Sequence, residues 1–350
     1  MWKFVALTSV LVAVTFAAQQ PAAPSPWAYG FDGPAAATAA PAVPPGGRGG
    51  QGGRGSGAAP APDTTLHQLP GSTGSFTLAQ IRDGFGPADW FPGDHPPMPD
   101  IVAHGRRDAQ INACSLCHYP NGKGRAENAG VSGLPYSYFV QTMMDFKNDL
   151  RKSADTRKAN TNRMIAFAKA MTDDEIKAAA AYFSSMKWTP WIRVVEADTV
   201  PKTRIAGGLF LMLEGDQAGK EPIGMRIIEV PEKTEDTESL RNPRSGFIAY
   251  APPGSIKKGE ALVTTGAGKT TQCGVCHGPD LEGLGPVPGI AGRSPSYVVR
   301  ELHDMQLGTR KGVWTDLMKP VVAKLSAEDM LDIAAYTASR VPGESRRPAK

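Results

Sequence analysis

The sequence has few aromatic residues, few cysteines and little net charge. Phe, Trp and Tyr make up only 7% of the 350 residues, so a bulky cofactor could supply part of a core that apolar residues, at 41%, otherwise build. A net charge of +4 is too small to predict a nucleic-acid or strongly anionic partner. The four cysteines form two pairs of identical spacing, and none is left over.

The N-terminus has the features of an export signal. Lys3 provides a positive start, Phe4 to Ala18 is an apolar run, and Ala17 and Ala18 are small enough for cleavage. The run is short for a membrane span, which needs about 20 residues. We therefore predict a signal peptide at 1–18 and a periplasmic location. An uncleaved segment that tethers the chain to the membrane is the alternative.

A low-complexity linker follows at 19–63, where most residues are Ala, Pro or Gly. Such a segment cannot bury enough apolar surface to offset the entropy of ordering it. Arg48 and Arg54 lie among glycines, as in RNA-binding segments, but two arginines in an exported chain favour a solvated tether. The exception is the stretch from Trp27 to Phe31, whose aromatic side chains are expected to dock on the body of the protein.

Two later regions, at 98–187 and 254–341, form an internal repeat. Cys114-Ser-Leu-Cys117-His118 matches Cys273-Gly-Val-Cys276-His277 at a distance of 159 residues. The same offset aligns Tyr138 with Tyr297 and a helical apolar stripe in each copy, spaced by three and four residues. Beyond this helix the offset falls to 154, which aligns Met164 with Met318 and the capping position Thr172 with Ser326.

The remaining segments read differently. Residues 64–97 are a loop-rich lead-in with a possible short helix at Leu78 to Asp83. Residues 188–253 contain runs of branched and aromatic residues separated by proline and glycine, which predict short strands. We interpret this segment as a connector packed on or between the two repeats. The predicted fold is mainly α, with a three-helix domain in each repeat.

The Cys-x-x-Cys-His motif has a direct chemical interpretation. Residues at i, i+3 and i+4 share one face of a helical turn, so the two thiols and the imidazole point together. The thiols can add to the two vinyl groups of one porphyrin, and the imidazole then lies beneath the iron. The motif is a known attachment signal for c-type haem. It predicts two covalent haems, bound through Cys114, Cys117 and His118, and through Cys273, Cys276 and His277.

Other uses of paired cysteines explain less of the pattern. A redox dithiol expects a βαβ context, whereas these surroundings are helical. One zinc site built from four cysteines would leave both histidines and the matched downstream helices without a role. Disulfides are permitted in an exported protein, but they give no reason for a histidine after each pair.

The sixth iron ligand is predicted to be Met164 in one repeat and Met318 in the other. Among the twelve methionines, these two alone coincide when the repeats are aligned. Both are placed on loop-like stretches, from which a thioether could reach the far side of a haem. A neutral, soft thioether raises the reduction potential relative to a second imidazole. His104 and His303, candidates for bis-histidine ligation, occupy different places in the two copies and are interpreted as ordinary histidines.

Weaker candidates complete the set. Arg151 and Arg310 could pair with haem propionates or be solvated helix ends. Tyr182 and Tyr336 could pack on a porphyrin or on the N-terminal helix.

With these residues in view, the chain resembles the tandem dihaem class I cytochromes c. The resemblance covers about 180 residues and implies two fused haem domains, with iron bound by His118 and Met164 and by His277 and Met318. It implies an electron carrier for redox-partner proteins, not an enzyme. Two alternatives remain: a dihaem peroxidase, which needs one iron position to be open, and an electron-accepting subunit of a dehydrogenase or oxidase. In the second case the connector would be the docking surface.

Overall fold

The computed structural model describes residues 25–34 and 63–343. The expected signal segment and most of the low-complexity linker lie outside these residues. Within them, no helix is both long and apolar enough to cross a membrane.

The first repeat is helical, and its loop-rich lead-in contains one short α-helix. Helix α6 begins at a capping box, in which the Thr172 side chain accepts a hydrogen bond from the Glu175 amide and the Glu175 side chain accepts one from the Thr172 amide. Helix α4 packs against both α5 and α6 around one apolar core. The helices are α1 (Leu78–Ile81), α2 (Asp100–Ala103), α3 (Cys114–His118), α4 (Tyr136–Lys147), α5 (Ala159–Ala170) and α6 (Asp173–Ser185).

The segment between the repeats is built from short strands, as the sequence predicts. One three-stranded sheet has the order β1-β7-β6, with β1 parallel and β6 antiparallel to β7. Two further pairs, β2 with β5 and β3 with β4, are antiparallel. The elements are β1 (Ile192–Glu196), β2 (Thr199–Pro201), β3 (Thr203–Ala206), β4 (Leu209–Met212), β5 (Lys220–Pro222), β6 (Ile228–Pro231), α7 (Thr234–Glu238) and β7 (Phe247–Ala251).

The second repeat is again helical. Its first and last helices make the largest helix–helix contact of the described residues, between α8 and α12. The close approach is possible because Gly259 on α8 has no side chain and lies against the backbone carbonyl of Asp332. The elements are α8 (Ser255–Thr265), α9 (Gly274–His277), β8 (Gly283–Leu284), β9 (Val287–Pro288), α10 (Pro295–Gln306), α11 (Val313–Val322) and α12 (Ala327–Ser339).

One expectation from the sequence is wrong. Met164 lies within α5 and Met318 within α11, so both methionines are helical and not on loops. The polar start of α5 has low helix propensity and Pro320 lies inside α11, and both features obscure the helix in the sequence. Packing against α4 and α10 stabilises these helices. Each repeat therefore contains five helices, including the short helix of its motif, where the sequence predicts a three-helix domain.

The strand-rich segment is fused to the second repeat by a shared core. Leu211, Val230 and Phe247 from the strands belong to the same buried cluster as Val299 and Leu331. On its other side, Leu240 joins a smaller cluster with the lead-in, where the indole Nε1 of Trp90 donates to the Leu240 carbonyl at 2.8 Å. The segment, here called the insert (188–253), is thus a structural bridge between the lead-in and the second repeat.

The aromatic stretch near the N-terminus docks on the body, as expected. Residues Pro26–Tyr29 form a 3-10 turn whose Trp27 and Tyr29 are buried. The Tyr29 hydroxyl donates to Asp304 at 2.8 Å, and the Arg300 guanidinium donates to the Ala28 carbonyl at 2.6 Å. Lys158 of the first repeat donates to the Tyr29 carbonyl at 3.2 Å, so this turn joins both repeats.

His303 is fully buried on α10, and neither ring nitrogen has a hydrogen-bond partner among the described residues. Burial penalises the charged imidazole and lowers the pKa of His303 to about 4, from 6.5. The imidazole of His303 therefore binds a proton more tightly in the unfolded chain than in the folded chain. Stability is lost as pH falls below 6.5 toward the folded value.

We predict that His303→Met reduces this pH dependence. Methionine is the residue that the first repeat has at the aligned position, Met144. Between pH 7 and pH 5 the free energy of unfolding of the wild type should fall by about 2 kcal/mol more than that of the variant, measured by urea denaturation. Equal falls in both proteins would contradict the assignment.

Candidate functional site

Each Cys-x-x-Cys-His motif forms a single helical turn. Cys114 and His118 begin and end α3, and α9 covers the second motif, with Cys273 at its N-cap. Helical spacing places the two sulfur atoms and the ring of each motif on one side of the turn. All four cysteines are free thiols, so the disulfide alternative has no support in the structure.

The two histidines make matching hydrogen bonds. Nδ1 of His118 donates to the Ala129 carbonyl at 2.9 Å, and Nδ1 of His277 donates to the Pro288 carbonyl at 2.8 Å. In each case the carbonyl lies 11 residues beyond the histidine. Because a carbonyl can only accept, Nδ1 carries the proton and the Nε2 lone pair is left to bind a metal. Burial lowers the pKa of both imidazoles, which favours this neutral form.

Each motif opens into a cavity. Both cavities have about 1410 Å³ of empty space, counted out to the open mouth, and both are lined mainly by apolar side chains. The first is lined by Cys114, Cys117, His118 and Met164, and the second by Cys273, Cys276, His277 and Met318. The fold therefore brings together the four predicted residues of each repeat around one cavity.

The chemistry of these donors fits a c-type haem. Burial raises the pKa of Cys114 to about 12 and that of Cys273 to about 11, so both are neutral thiols at neutral pH. As neutral thiols, both retain the S–H bond that adds across a vinyl group of a porphyrin. The described residues also contain no group of three or more His, Cys, Asp or Glu side chains that could hold a metal ion.

Several methionines line the cavities, and the repeat distinguishes them. Met143 and Met171 line the first cavity, and Met305 lines the second. Met143 aligns with Leu302, and Met305 with Phe146, so neither position has sulfur in both repeats. Met164 and Met318 are the methionine pair that lines equivalent cavities from equivalent helices.

Some of the weaker candidate residues line a cavity and others do not. Arg151 lines the first cavity and Arg310 the second, whereas neither His104 nor His303 lines either of them. Tyr182 packs on the motif side of the first repeat, where its hydroxyl donates to the Pro120 carbonyl at 2.6 Å. Glu301, which lines both cavities, was not identified from the sequence, although its alignment with the uncharged Thr142 marks it as a difference between the repeats.

The two motifs differ in how they are covered. The insert lies over the first, where the Arg241 guanidinium donates to the Leu116 carbonyl and Asn121 donates to the Pro243 carbonyl at 2.8 Å. In the second repeat Val275, the counterpart of Leu116, is 63% exposed, and Cys276 is exposed as well. Leu317, beside the second cavity, is 64% exposed.

Comparison with known proteins gives consistent matches. Residues 102–187 match the family model described as Cytochrome c. Cytochrome c-554(548) of Halomonas halodenitrificans is 41% identical over 76 residues, which are 21% of this chain and 92% of that protein. Cytochrome c4 of Stutzerimonas stutzeri is 29% identical over 162 residues, covering 40% of this chain and 76% of that protein.

A longer match extends across the insert. The thiosulfate dehydrogenase electron acceptor of Stutzerimonas stutzeri is 33% identical over 243 residues, covering 68% of this chain and 84% of that protein. An alignment that spans 68% of the chain necessarily contains its middle, which includes the first motif and most of the insert.

Proposed function

The chain belongs to the cytochrome c family, and from this premise we propose that it transfers electrons between redox partners through two haems, one held by each repeat. It is a c-type cytochrome that acts as an electron carrier or as a dehydrogenase-associated electron acceptor, and its cofactor is covalently bound haem c. The observation that carries the proposal is the second cavity, which repeats the donor set of the first. The N-terminal segment supports a periplasmic location.

We assign the residues that would hold the cofactors as follows. Cys114 and Cys117, and Cys273 and Cys276, would each form a thioether as the S–H adds across a vinyl double bond. His118 and His277 would bind iron through Nε2, and Met164 and Met318 through sulfur. Haem, when bound, supplies a one-electron couple at its iron.

The surrounding residues adapt each cavity to this role. The carbonyls of Ala129 and Pro288 orient the imidazoles and make them better ligands. Apolar walls exclude water, which keeps the local dielectric low and reduces the rearrangement that a change of charge requires. If His118 and Met164, and His277 and Met318, bind the iron as proposed, they would leave no iron position for a substrate.

We predict that removal of one thiol pair halves the haem content. Cys273→Ala/Cys276→Ala should retain one haem per chain, and the corresponding change at Cys114 and Cys117 should do the same. Thioethers survive denaturation, so the measurement is haem absorbance and staining of the chain after denaturing electrophoresis. Dissociable haem, or zinc in its place, would contradict the proposal.

A second prediction concerns the sixth ligand. Ferric iron bound to a thioether has a near-infrared absorption band, so Met164→Leu and Met318→Leu should each reduce its intensity by half. Met143→Leu is the matched control, because Met143 lines the first cavity but has no sulfur counterpart in the second repeat. If the wild type shows only one such band per chain, or turns over peroxide faster than free haem does, the peroxidase alternative gains support.

The insert supports a role as acceptor for a dehydrogenase. Most of the insert lies within the region that is similar to the thiosulfate dehydrogenase electron acceptor, so the similarity extends beyond the haem-binding repeats. Its strands belong to the core of the second repeat, so deleting it would damage the fold. Single substitutions therefore test its function better than deletion.

We further propose that redox proteins approach through the second repeat. The insert covers the first motif, whereas the uncharged side chains of Val275, Cys276 and Leu317 are exposed at the second. Cys276 and Leu317 also line the second cavity, so the exposed surface beside this cavity includes uncharged side chains. A partner whose own redox centre is edged by uncharged side chains would fit it without desolvating charges.

We predict that ferricyanide, used as a probe oxidant, reacts with the reduced protein in two phases. The fast phase should belong to the second repeat, and Cys273→Ala/Cys276→Ala protein should show the slow phase alone. Arg241→Ala, which uncovers the first motif, should accelerate the slow phase. Arg204→Ala is the control, because Arg204 is an arginine of the insert that pairs with Glu238 on the surface. A single phase, or no effect of Arg241→Ala, would contradict the assignment.

A further inference from the structure

The two cavities share a wall, and a carboxylate lies within it. Glu301 of α10 lines both cavities, together with Leu134, Tyr138 and Tyr297. Its Oε1 accepts a hydrogen bond from Nη2 of Arg151 at 2.6 Å, and its Oε2 accepts one from Nη1 of Arg310. The three charged side chains are between 10% and 14% exposed, so this is a buried ionic cluster at the junction of the repeats.

The arginines cross between the repeats in matching ways. Arg151 of the first repeat donates to the Tyr297 hydroxyl at 3.2 Å, and Arg310 of the second donates to the Tyr138 hydroxyl at 2.8 Å. Arg151 and Arg310 also face each other in an antiparallel backbone bridge. Since these are aligned pairs of residues, the junction has an approximate twofold arrangement.

Glu301 breaks this arrangement. Its aligned residue in the first repeat is Thr142, which is uncharged and lines the first cavity alone. A single carboxylate thus serves two guanidinium groups. Burial opposes its ionisation, but Arg151 and Arg310 outweigh that effect and lower the pKa of Glu301 below its ordinary value. The cluster of Glu301, Arg151 and Arg310 therefore carries one negative and two positive charges.

The three charged side chains line different cavities. Arg151 lines only the first cavity, Arg310 lines only the second, and Glu301 lines both. In a medium of low dielectric constant a charge acts strongly on a redox group nearby. Without Glu301, each guanidinium would lose its charged partner and keep only its tyrosine hydrogen bond, which would hold it less firmly beside its cavity.

We propose that Glu301 is a positioning residue that holds Arg151 against the first cavity and Arg310 against the second, and that its charge sets the reduction potentials of both sites together. The inference rests on the proposed function, because it requires a redox cofactor in each cavity. In this inference, Glu301 of the second repeat affects the reduction potential of the site in the first repeat.

The test is a redox titration, followed optically, of protein that contains two covalent haems per chain. Glu301→Gln should shift both midpoint potentials to more positive values, because a negative charge is lost beside both sites. Arg151→Gln should shift mainly the potential of the first site, and Arg310→Gln mainly that of the second, each to more negative values. The variants lacking one thiol pair identify which potential belongs to which repeat.

Glu229→Gln is the matched control. Glu229 is also a buried carboxylate, bonded to Ser294 and Ser296, but it lines neither cavity. Its replacement should lower stability and leave both potentials unchanged. Glu301→Asp, which retains the charge, should keep both potentials close to those of the wild type.

Several outcomes would overturn the inference. If Glu301→Gln binds two haems and moves neither potential, or moves only one, Glu301 does not act on both sites. Should that variant not fold, the arginine variants decide the matter, and unmoved potentials in both would refute the inference. Failure of the wild type to retain covalent haem would instead refute the proposed function, and the haem count separates the two cases.

Discussion

In each half of the molecule, a hydrogen bond from a histidine Nδ1 to a backbone carbonyl holds one imidazole against a cavity. The carbonyl lies 11 residues beyond the histidine in both halves, so each loop supplies the acceptor from the same distance along the chain. This bond selects the tautomer in which Nε2 is available. The thiols, the methionine helix and the apolar walls are useful only because the imidazole is directed at the space between them.

The two halves share this arrangement but differ in what surrounds them. The insert covers the first motif, whereas Val275 and Cys276 of the second motif, and Leu317 beside its cavity, are exposed. The N-terminal turn adds a third connection, since Tyr29 and Ala28 bond to side chains of both repeats. A repeated unit has thus become an asymmetric protein through segments that lie outside the repeat. In our proposal, this asymmetry gives different roles to two sites that have the same donors.

The junction between the repeats also combines a repeated arrangement with one asymmetric feature. Aligned arginines and tyrosines cross in an approximate twofold pattern, and one unmatched carboxylate neutralises part of their charge. Buried charges require partners, because leaving one unpaired in a low dielectric is costly. The pairing therefore stabilises the contact between repeats and places charge beside both cavities. The same three side chains thus join the repeats and, in our proposal, set the charge beside both sites.

The sequence by itself determined the chemistry of this protein, because the spacing of Cys-x-x-Cys-His imposes its geometry within one helical turn. It also revealed the repeat, the aligned Met164 and Met318, the capped final helices and the strands of the insert, since each depends on local pattern or on identity at a fixed offset. Tertiary structure alone decided that both methionines are helical, because packing overrode the weak helix propensity and the proline around them. It also decided which motif is covered and where Glu301 lies, because those features depend on contacts between residues more than a hundred positions apart, which no local pattern records.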